Sequence, residues 1–266
     1  MALMAGKRGL IMGVANDHSL GWGIAKALSD AGAMLAFTYQ GEAFGKRVRP
    51  LAESIGSNFV LDCDVTDERS LDRLFDALAE RWRQVDFVVH SIGGTDPSAL
   101  RGKYLDTTRE NFLRTLEISC FSFTDLCRRA VPLMPQGGSL LTLTYAGAER
   151  VMPNYNVMGI AKAALEASVK YLAVDLGGAH IRVNAISAGP IRTLASYGIQ
   201  DFHYILKWNQ LNSPLQRNTT IEDVGGAGLY LLSELSAGVT GEVHHVDSGY
   251  HVVGMKRVDA PDISVV

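Results

Sequence analysis

Short runs of apolar and β-branched residues alternate along the whole chain with longer segments of helical period, and this alternation limits the possible folds more than any other feature. The runs lie near Gly9–Gly13, Met34–Tyr39, Asn58–Cys63, Asp86–Ser91, Ser139–Thr144, Ile181–Ser187 and Glu242–Val246. A strand that returns through a helix pairs in parallel with its predecessor, so repeated βα units predict a parallel sheet. Runs apolar at successive positions, such as Phe87-Val88-Val89 and Leu140-Leu141-Thr142-Leu143, suit strands covered on both faces. An α/β domain with a doubly wound sheet is the expectation.

Helix boundaries are legible in two places. After Asp64-Val-Thr-Asp67, the residues Leu71, Leu74, Phe75, Leu78 and Trp82 recur at helical spacing, with Thr66 or Asp67 as the cap. Thr220-Ile-Glu-Asp223 is a second cap signal, opening a helix expected to run to Leu235. At 266 residues with 47% hydrophobic content, the chain can bury a core as one domain. Residues 1–257 are read as that domain and 258–266 as a loose tail.

Composition removes several function classes. A formal charge of -3 offers no bulk attraction to nucleic acid or to an anionic membrane. Cys63, Cys120 and Cys127 are scattered and form no CxxC pair, so neither a disulfide framework nor a zinc site is expected and a reducing cytoplasm fits. Met1 to Arg8 lacks the order of a secretion signal, and no apolar run approaches the ~18 residues that span a bilayer. His244 and His245 are neighbours on an expected strand and should point to opposite faces, which argues against a metal site. His90 reads as a satisfied strand residue.

The first expected strand runs into Gly13-Val-Ala-Asn-Asp-His-Ser19-Leu-Gly-Trp-Gly23. Such a turn is either an ordinary βα connection or a loop whose amides approach a pyrophosphate, with Gly13 and Gly23 sparing the room. Ser19 either bonds phosphate or caps the helix through Ile24. In a doubly wound sheet a ligand lies along the carboxyl ends of the strands. Gln40, Asp64-Val65 and Ser91-Ile92-Gly93 follow the second, third and fourth strands, where a dinucleotide needs contacts. Gln40 would meet the adenosine ribose and Asp64 the adenine amino group. Gln40-Gly41-Glu42 carries no adjacent cation for a 2′-phosphate, which favours NADH over NADPH.

Residues 153–176 have helix-forming composition, and Tyr155 and Lys162 then stand about two turns apart on one face. A phenol beside an ammonium can donate to a developing oxyanion, whereas the bland alternative is a core aromatic and a solvated lysine. Together with the opening loop the pair suggests a nicotinamide-dependent reductase. Tyr145, ending the fifth strand, either positions a substrate carbonyl or packs. Pro190–Pro214, with Tyr197, Ile199, Phe202, Tyr204, Ile205, Leu206 and Trp208, reads as a packed helix or as a lid over an acyl chain. The lid is preferred because the site must exclude water and bury an apolar tail, with Phe202 among its substrate-facing residues.

These features resemble the short-chain dehydrogenase/reductase superfamily and, within it, the NADH-dependent enoyl-[acyl-carrier-protein] reductases of bacterial fatty-acid synthesis. The resemblance runs from about Gly9 to Lys256 and rests on Gly9-Leu-Ile-Met-Gly-Val-Ala-Asn, the block from Leu143 to Gly159 and the block from Arg182 to Ala195. Gly238-Val-Thr-Gly-Glu-Val-His-His-Val-Asp-Ser-Gly-Tyr adds to it. The wide Tyr155-to-Lys162 spacing is that of the enoyl reductase branch. The resemblance implies a single Rossmann-type domain, a doubly wound parallel sheet of about seven strands with helices on both faces. It implies that Gly13, Ser19, Leu20, Gln40, Asp64, Val65, Ile92 and Gly93 hold the cofactor. Lys162 would hold the nicotinamide ribose, Ile191 and Thr193 the amide and pyrophosphate region, and Tyr155 the thioester carbonyl with Tyr145 beside it.

Other implied properties are an acyl-carrier-protein partner, for which Arg192 and Lys207 are candidate contacts, and a homotetramer using Phe121-Ser-Phe123 and Val252–Met255. Gly93-Gly94-Thr95-Asp96-Pro97 departs from the apolar loop usual in these reductases, and Thr95 falls at a substrate-contacting position. Ala146 is also smaller than usual and would widen the pocket. A carbonyl reductase on the same fold and a nucleotide-binding protein without catalysis are the competing readings.

Overall fold

The computed structural model describes residues 2–263. The chain alternates as β1 (Arg8–Met12), α1 (Leu20–Asp30), β2 (Met34–Tyr39), α2 (Glu42–Ser54), β3 (Val60–Asp62), α3 (Glu68–Trp82) and β4 (Phe87–His90). It continues with α4 (Arg109–Leu116), α5 (Ser122–Ala130), β5 (Gly138–Tyr145), α6 (Val157–Gly177), β6 (Ile181–Ala188), α7 (Phe202–Asn212), α8 (Ile221–Leu232) and β7 (Val243–Val246). The strands form one 7-stranded sheet in the order β3-β2-β1-β4-β5-β6-β7. Every pairing is parallel. The expected α/β, doubly wound fold is therefore the observed one.

Side-chain alternation along each strand divides the core into two layers. Leu10, Met12, Val88, Leu140 and Val183 face α3, α5 and α6. Ile11, Phe87, Val89, Leu141 and Ile186 face α1, α2 and α8. Strands apolar on both faces have nowhere to go but the middle of such a sandwich, which is why β1, β4, β5 and β6 are central.

Caps form as the residues suggest. The Asp67 carboxylate accepts the Arg69 N–H at 3.0 Å and opens α3. Thr220 and Asp223 make a reciprocal capping box, although α8 stops at Leu232. Ser233 is extended there, and Glu234–Ser236 form a separate 3₁₀ turn instead of the expected continuation to Leu235.

Two expectations are corrected. Gly23 does not spare room for phosphate: a Cβ there would lie 2.3 Å from the Ile221 carbonyl oxygen, so it allows α1 to press against α8. Tyr155 is not helical, because α6 begins at Val157 after Asn154 and Asn156 take positive φ angles of 61° and 44°. In the terminal segment Ala260 is 8% exposed and so docks on the body. Of the expected tail, 264–266 lie outside the described residues. Among the described residues no helix is long and apolar enough to cross a membrane.

Candidate active site

The strand order reverses between β1 and β4, and the loops leaving these strands open a crevice at their carboxyl ends. A cavity of about 450 Å³ occupies it. Of the residues expected in the site, it is lined by Gly13, Ser19, Leu20, Ser91, Ile92, Gly93, Thr95, Tyr145, Tyr155, Lys162, Ile191, Thr193 and Phe202. Residues far apart in sequence thus converge on one space.

Gly13 is required at the mouth of β1. It has a φ of +89°, and a Cβ would stand 1.9 Å from the Ser91 carbonyl oxygen. Ser19 does not cap α1 with its side chain. Its Oγ accepts the amides of Ala15 at 3.0 Å and Asn16 at 3.1 Å, so it shapes its own loop. No side chain caps α1 as a result, and the first amides of that helix are left for an anion. A Cβ on Gly93 would reach 3.5 Å from Lys162 Nζ, so the bare glycine keeps open the space beside the ammonium. An uncapped helix start, glycines at Gly13 and Gly93 and a nearby cation together fit a dinucleotide.

Gln40, Asp64 and Val65 stand outside the cavity, at the ends of β2 and β3. Gln40 Nε2 donates to Asp64 Oδ2 at 2.8 Å, tying the two loops together. Burial opposes ionisation of Asp64, but hydrogen bonds from Thr66 and Gln40 outweigh it and hold the carboxyl below its ordinary value. Val65 packs against the core.

Tyr155 and Tyr145 meet edge to face with ring centroids 5.1 Å apart. Gly147 makes room for this, since a Cβ there would be 2.3 Å from Tyr155 Cδ1. Leu100, Met158, Met152 and Ile199 complete an apolar cluster around the pair. Burial pushes the Tyr155 phenol upward, with the Tyr145 and Glu166 charges adding to it. Burial raises Tyr145 as well, and its hydroxyl is buried without a partner. Both phenols keep their protons at neutral pH.

Lys162 is only 7% exposed. Its Nζ donates to the Leu143 carbonyl oxygen at 2.8 Å, which anchors the stem between α6 and β5. Burial lowers its pKa from 10.5 to about 8, with Cys120 and Glu166 resisting. A lysine so placed still carries its charge at neutral pH but holds it weakly.

The connection across 190–214 borders the cavity at its start and packs on the core along α7. Pro190, Ile191, Leu194, Ser196, Ile199 and Phe202 line the cavity, while Ile205, Leu206 and Asn209 on α7 are buried. Trp208 Nε1 donates to the Tyr250 hydroxyl at 2.8 Å and pins the helix down. Met158 and Ser196 also line the cavity. Met158 sits one turn before Lys162 and was findable from that spacing; Ser196 carried no signal.

His90 is fully buried, with Nδ1 2.9 Å from Thr142 Oγ1 and Nε2 2.8 Å from Ser122 Oγ. His244 packs near Tyr230, whereas His245 stacks on His251 and pairs with Glu149, so the two neighbours part as expected. Phe123 is fully buried and unavailable to a partner, while Phe121 is 60% exposed. Arg192 and Lys207 are exposed.

A family model described as Enoyl-(Acyl carrier protein) reductase matches residues 13–251. A curated relative from Rhizobium meliloti, named Enoyl-[acyl-carrier-protein] reductase [NADH] 1, is 65% identical over 99% of this chain and 97% of its own length. The crystal structure of the Anaplasma phagocytophilum reductase in complex with NAD is 62% identical, covers 98% of both chains and superposes with a TM-score of 0.94. The Bacillus cereus reductase, solved with NADP+ and indole naphthyridinone, is 50% identical with a TM-score of 0.94, covering 96% of this chain and 100% of its own.

Proposed function

Taking as premise that the chain belongs to the enoyl-(acyl carrier protein) reductase family, we propose that it reduces trans-2-enoyl thioesters on an acyl carrier protein with NADH. The observation that carries the reading is the convergence of Tyr155, Tyr145 and Lys162 on one cavity that also opens onto the glycine-containing loops after β1 and β4. Gly13, Ser19, Leu20, Ser91, Ile92, Gly93, Ile191 and Thr193 would hold the cofactor along the crevice. Gln40, Asp64 and Val65 would flank its adenosine end. When bound, NADH supplies the hydride for the β-carbon of the enoyl group.

The chain's own residues handle the charge that reduction creates. Electron density moves onto the thioester carbonyl oxygen, Tyr155, protonated because it is buried, donates a hydrogen bond there, and the α-carbon then takes a proton to give the acyl thioester. Such a preplaced donor contributes roughly 3 kcal/mol to the barrier. Lys162 adds positive potential in a site of low dielectric and orients the ribose. Tyr145 fixes the Tyr155 ring from its edge. The 190–202 wall, with Phe202, covers the acyl chain and keeps water out.

The carrier protein is acidic, and exposed Arg192, between the cavity-lining Ile191 and Thr193, and exposed Lys207 on α7 would supply positive charge for it. A homotetramer is proposed from the family resemblance. Leu113, Phe121, Tyr171 and Val174, from α4 to α6, are exposed apolar residues that such an association would cover. The decisive assay follows NADH oxidation with crotonyl thioester beside acetoacetyl thioester. Turnover of the first is expected; reduction of the second alone would transfer the chain to the carbonyl reductases, and oxidation of neither would leave a nucleotide-binding protein.

A further inference from the structure

The cavity wall formed by Gly93-Gly94-Thr95-Asp96 takes its shape from a helix behind it. This helix runs from α4 through a π turn, Glu117–Phe121, into α5 and carries Asn111, Thr115 and Ser119 at four-residue intervals. Each side chain holds the next piece of the wall. Ser119 Oγ accepts the Gly94 N–H at 3.0 Å and donates to the Gly94 carbonyl at 3.1 Å. Thr115 Oγ1 lies 2.7 Å from Thr95 Oγ1. Thr95 Oγ1 is 3.2 Å from Asn111 Oδ1, which also accepts the Asp96 N–H at 3.0 Å.

Each threonine hydroxyl has one proton. Thr115 Oγ1 also lies 3.5 Å from Asn111 Oδ1, and the shorter contacts have Thr115 donating to Thr95, and Thr95 donating to the Asn111 carbonyl. The Thr95 hydroxyl is thus committed to the helix although the residue lines the cavity. On a regular α-helix, residues four apart drift by about 40° per step, so three such rungs would splay away from a straight loop. The wider π turn cancels part of that drift and returns Ser119 toward Gly94. Gly94 is tight against the same turn, since a Cβ there would be 3.2 Å from Ile118 Cγ2.

We propose that Thr115, which does not line the cavity, is a positioning residue that determines affinity for the acyl thioester by holding Thr95 and the 94–96 wall against α4. The inference rests on the enoyl thioester reduction proposed above. Gly93 borders Lys162 and the cofactor side, whereas the chain beyond it, through Thr95 and Pro97 to Leu100, borders the apolar cluster around Tyr155. Displacing Thr95 therefore alters the substrate half of the cavity and spares the cofactor half.

The test uses the full-length protein, with crotonyl thioester varied at saturating NADH and then the reverse. Thr115→Val keeps the shape and removes the hydroxyl. It is expected to raise KM for the thioester about fivefold, the worth of one buried hydrogen bond, while KM for NADH changes less than about twofold. Thr115→Ser restores the hydroxyl and should recover the parent value. Thr95→Val should match Thr115→Val, and the double variant should be no worse than either alone, because all three break one chain of bonds. An unchanged thioester KM in Thr115→Val, or equal rises for both substrates, overturns the proposal. Parent enzyme that fails to turn over crotonyl thioester refutes the assigned reaction instead, so the two failures are distinguishable.

Discussion

Replacing Lys162 with methionine is expected to make the protein more stable at neutral pH while abolishing its activity. Burial takes the ammonium from a pKa of 10.5 to about 8. At about 1.4 kcal/mol per pKa unit, keeping that charge in the folded protein costs roughly 3.5 kcal/mol. Methionine fills similar space without charge, but it gives up the charged hydrogen bond to the Leu143 carbonyl, worth about 1.5–3 kcal/mol. The net gain is on the order of 0.5–2 kcal/mol, or roughly 1–6 °C in Tm for a domain of this size.

The pH dependence distinguishes this cause from accidental better packing. Below about 8 the lysine is protonated in both folded and unfolded chains, so the penalty is present in full. Between about 8 and 10.5 the unfolded chain binds the extra proton, and stability of the parent rises with pH. Above 10.5 the side chain is neutral in both states and the penalty is gone. Urea unfolding of parent and Lys162→Met, free of cofactor, at pH 7 and about pH 10 measures the difference. A variant less stable than the parent at pH 7, or an advantage that persists undiminished at the higher pH, refutes the reasoning.

Tyr155→Phe should keep NADH binding, measured by fluorescence titration, and lose about 100-fold or more in kcat, since only the oxyanion donor is removed. Unchanged turnover would move the donor role to Tyr145. Gly13→Ala should destabilise by more than about 3 kcal/mol in denaturant melts, because it combines a positive φ with a Cβ driven into the Ser91 carbonyl. Loss of NADH binding at undiminished stability would contradict that account. Limited proteolysis across 190–214 should be slowed by NADH, with α7 resistant in both states because Trp208, Ile205 and Leu206 anchor it. Cutting that is indifferent to cofactor would mean the wall is simply packed.

The parallel sheet was readable because it depends on local patterns. Runs such as Phe87-Val88-Val89 cannot be solvated on either side, and residues that cap helices, Asp67 and Thr220, act within three positions of themselves. Site residues were readable where the strand ends are, because every β-to-α turn opens on the same edge of the sheet. Gln40 and Asp64 followed that rule but bond each other across the ends of neighbouring strands, an arrangement no local pattern encodes. Helical periodicity was the wrong warrant for Tyr155. The residue reaches the cavity from a bend with two asparagines at positive φ, and it shares the site with Lys162 through tertiary packing on Gly147.

Gly23 shows the same limit, since a glycine kept for a phosphate and one kept for an approaching helix look alike until α8 is in place. From the order of its residues alone, this chain determines seven parallel strands, the helices that cover them and the family to which it belongs, because burial pattern and short-range hydrogen bonding are written within a few positions. Only the folded molecule decides that Ser19 shapes its own loop, that Lys162 sits dehydrated against Leu143, and that Thr115 reaches Thr95. Those properties arise from distances between segments remote in sequence, and such distances exist only once the two core layers have closed on the sheet.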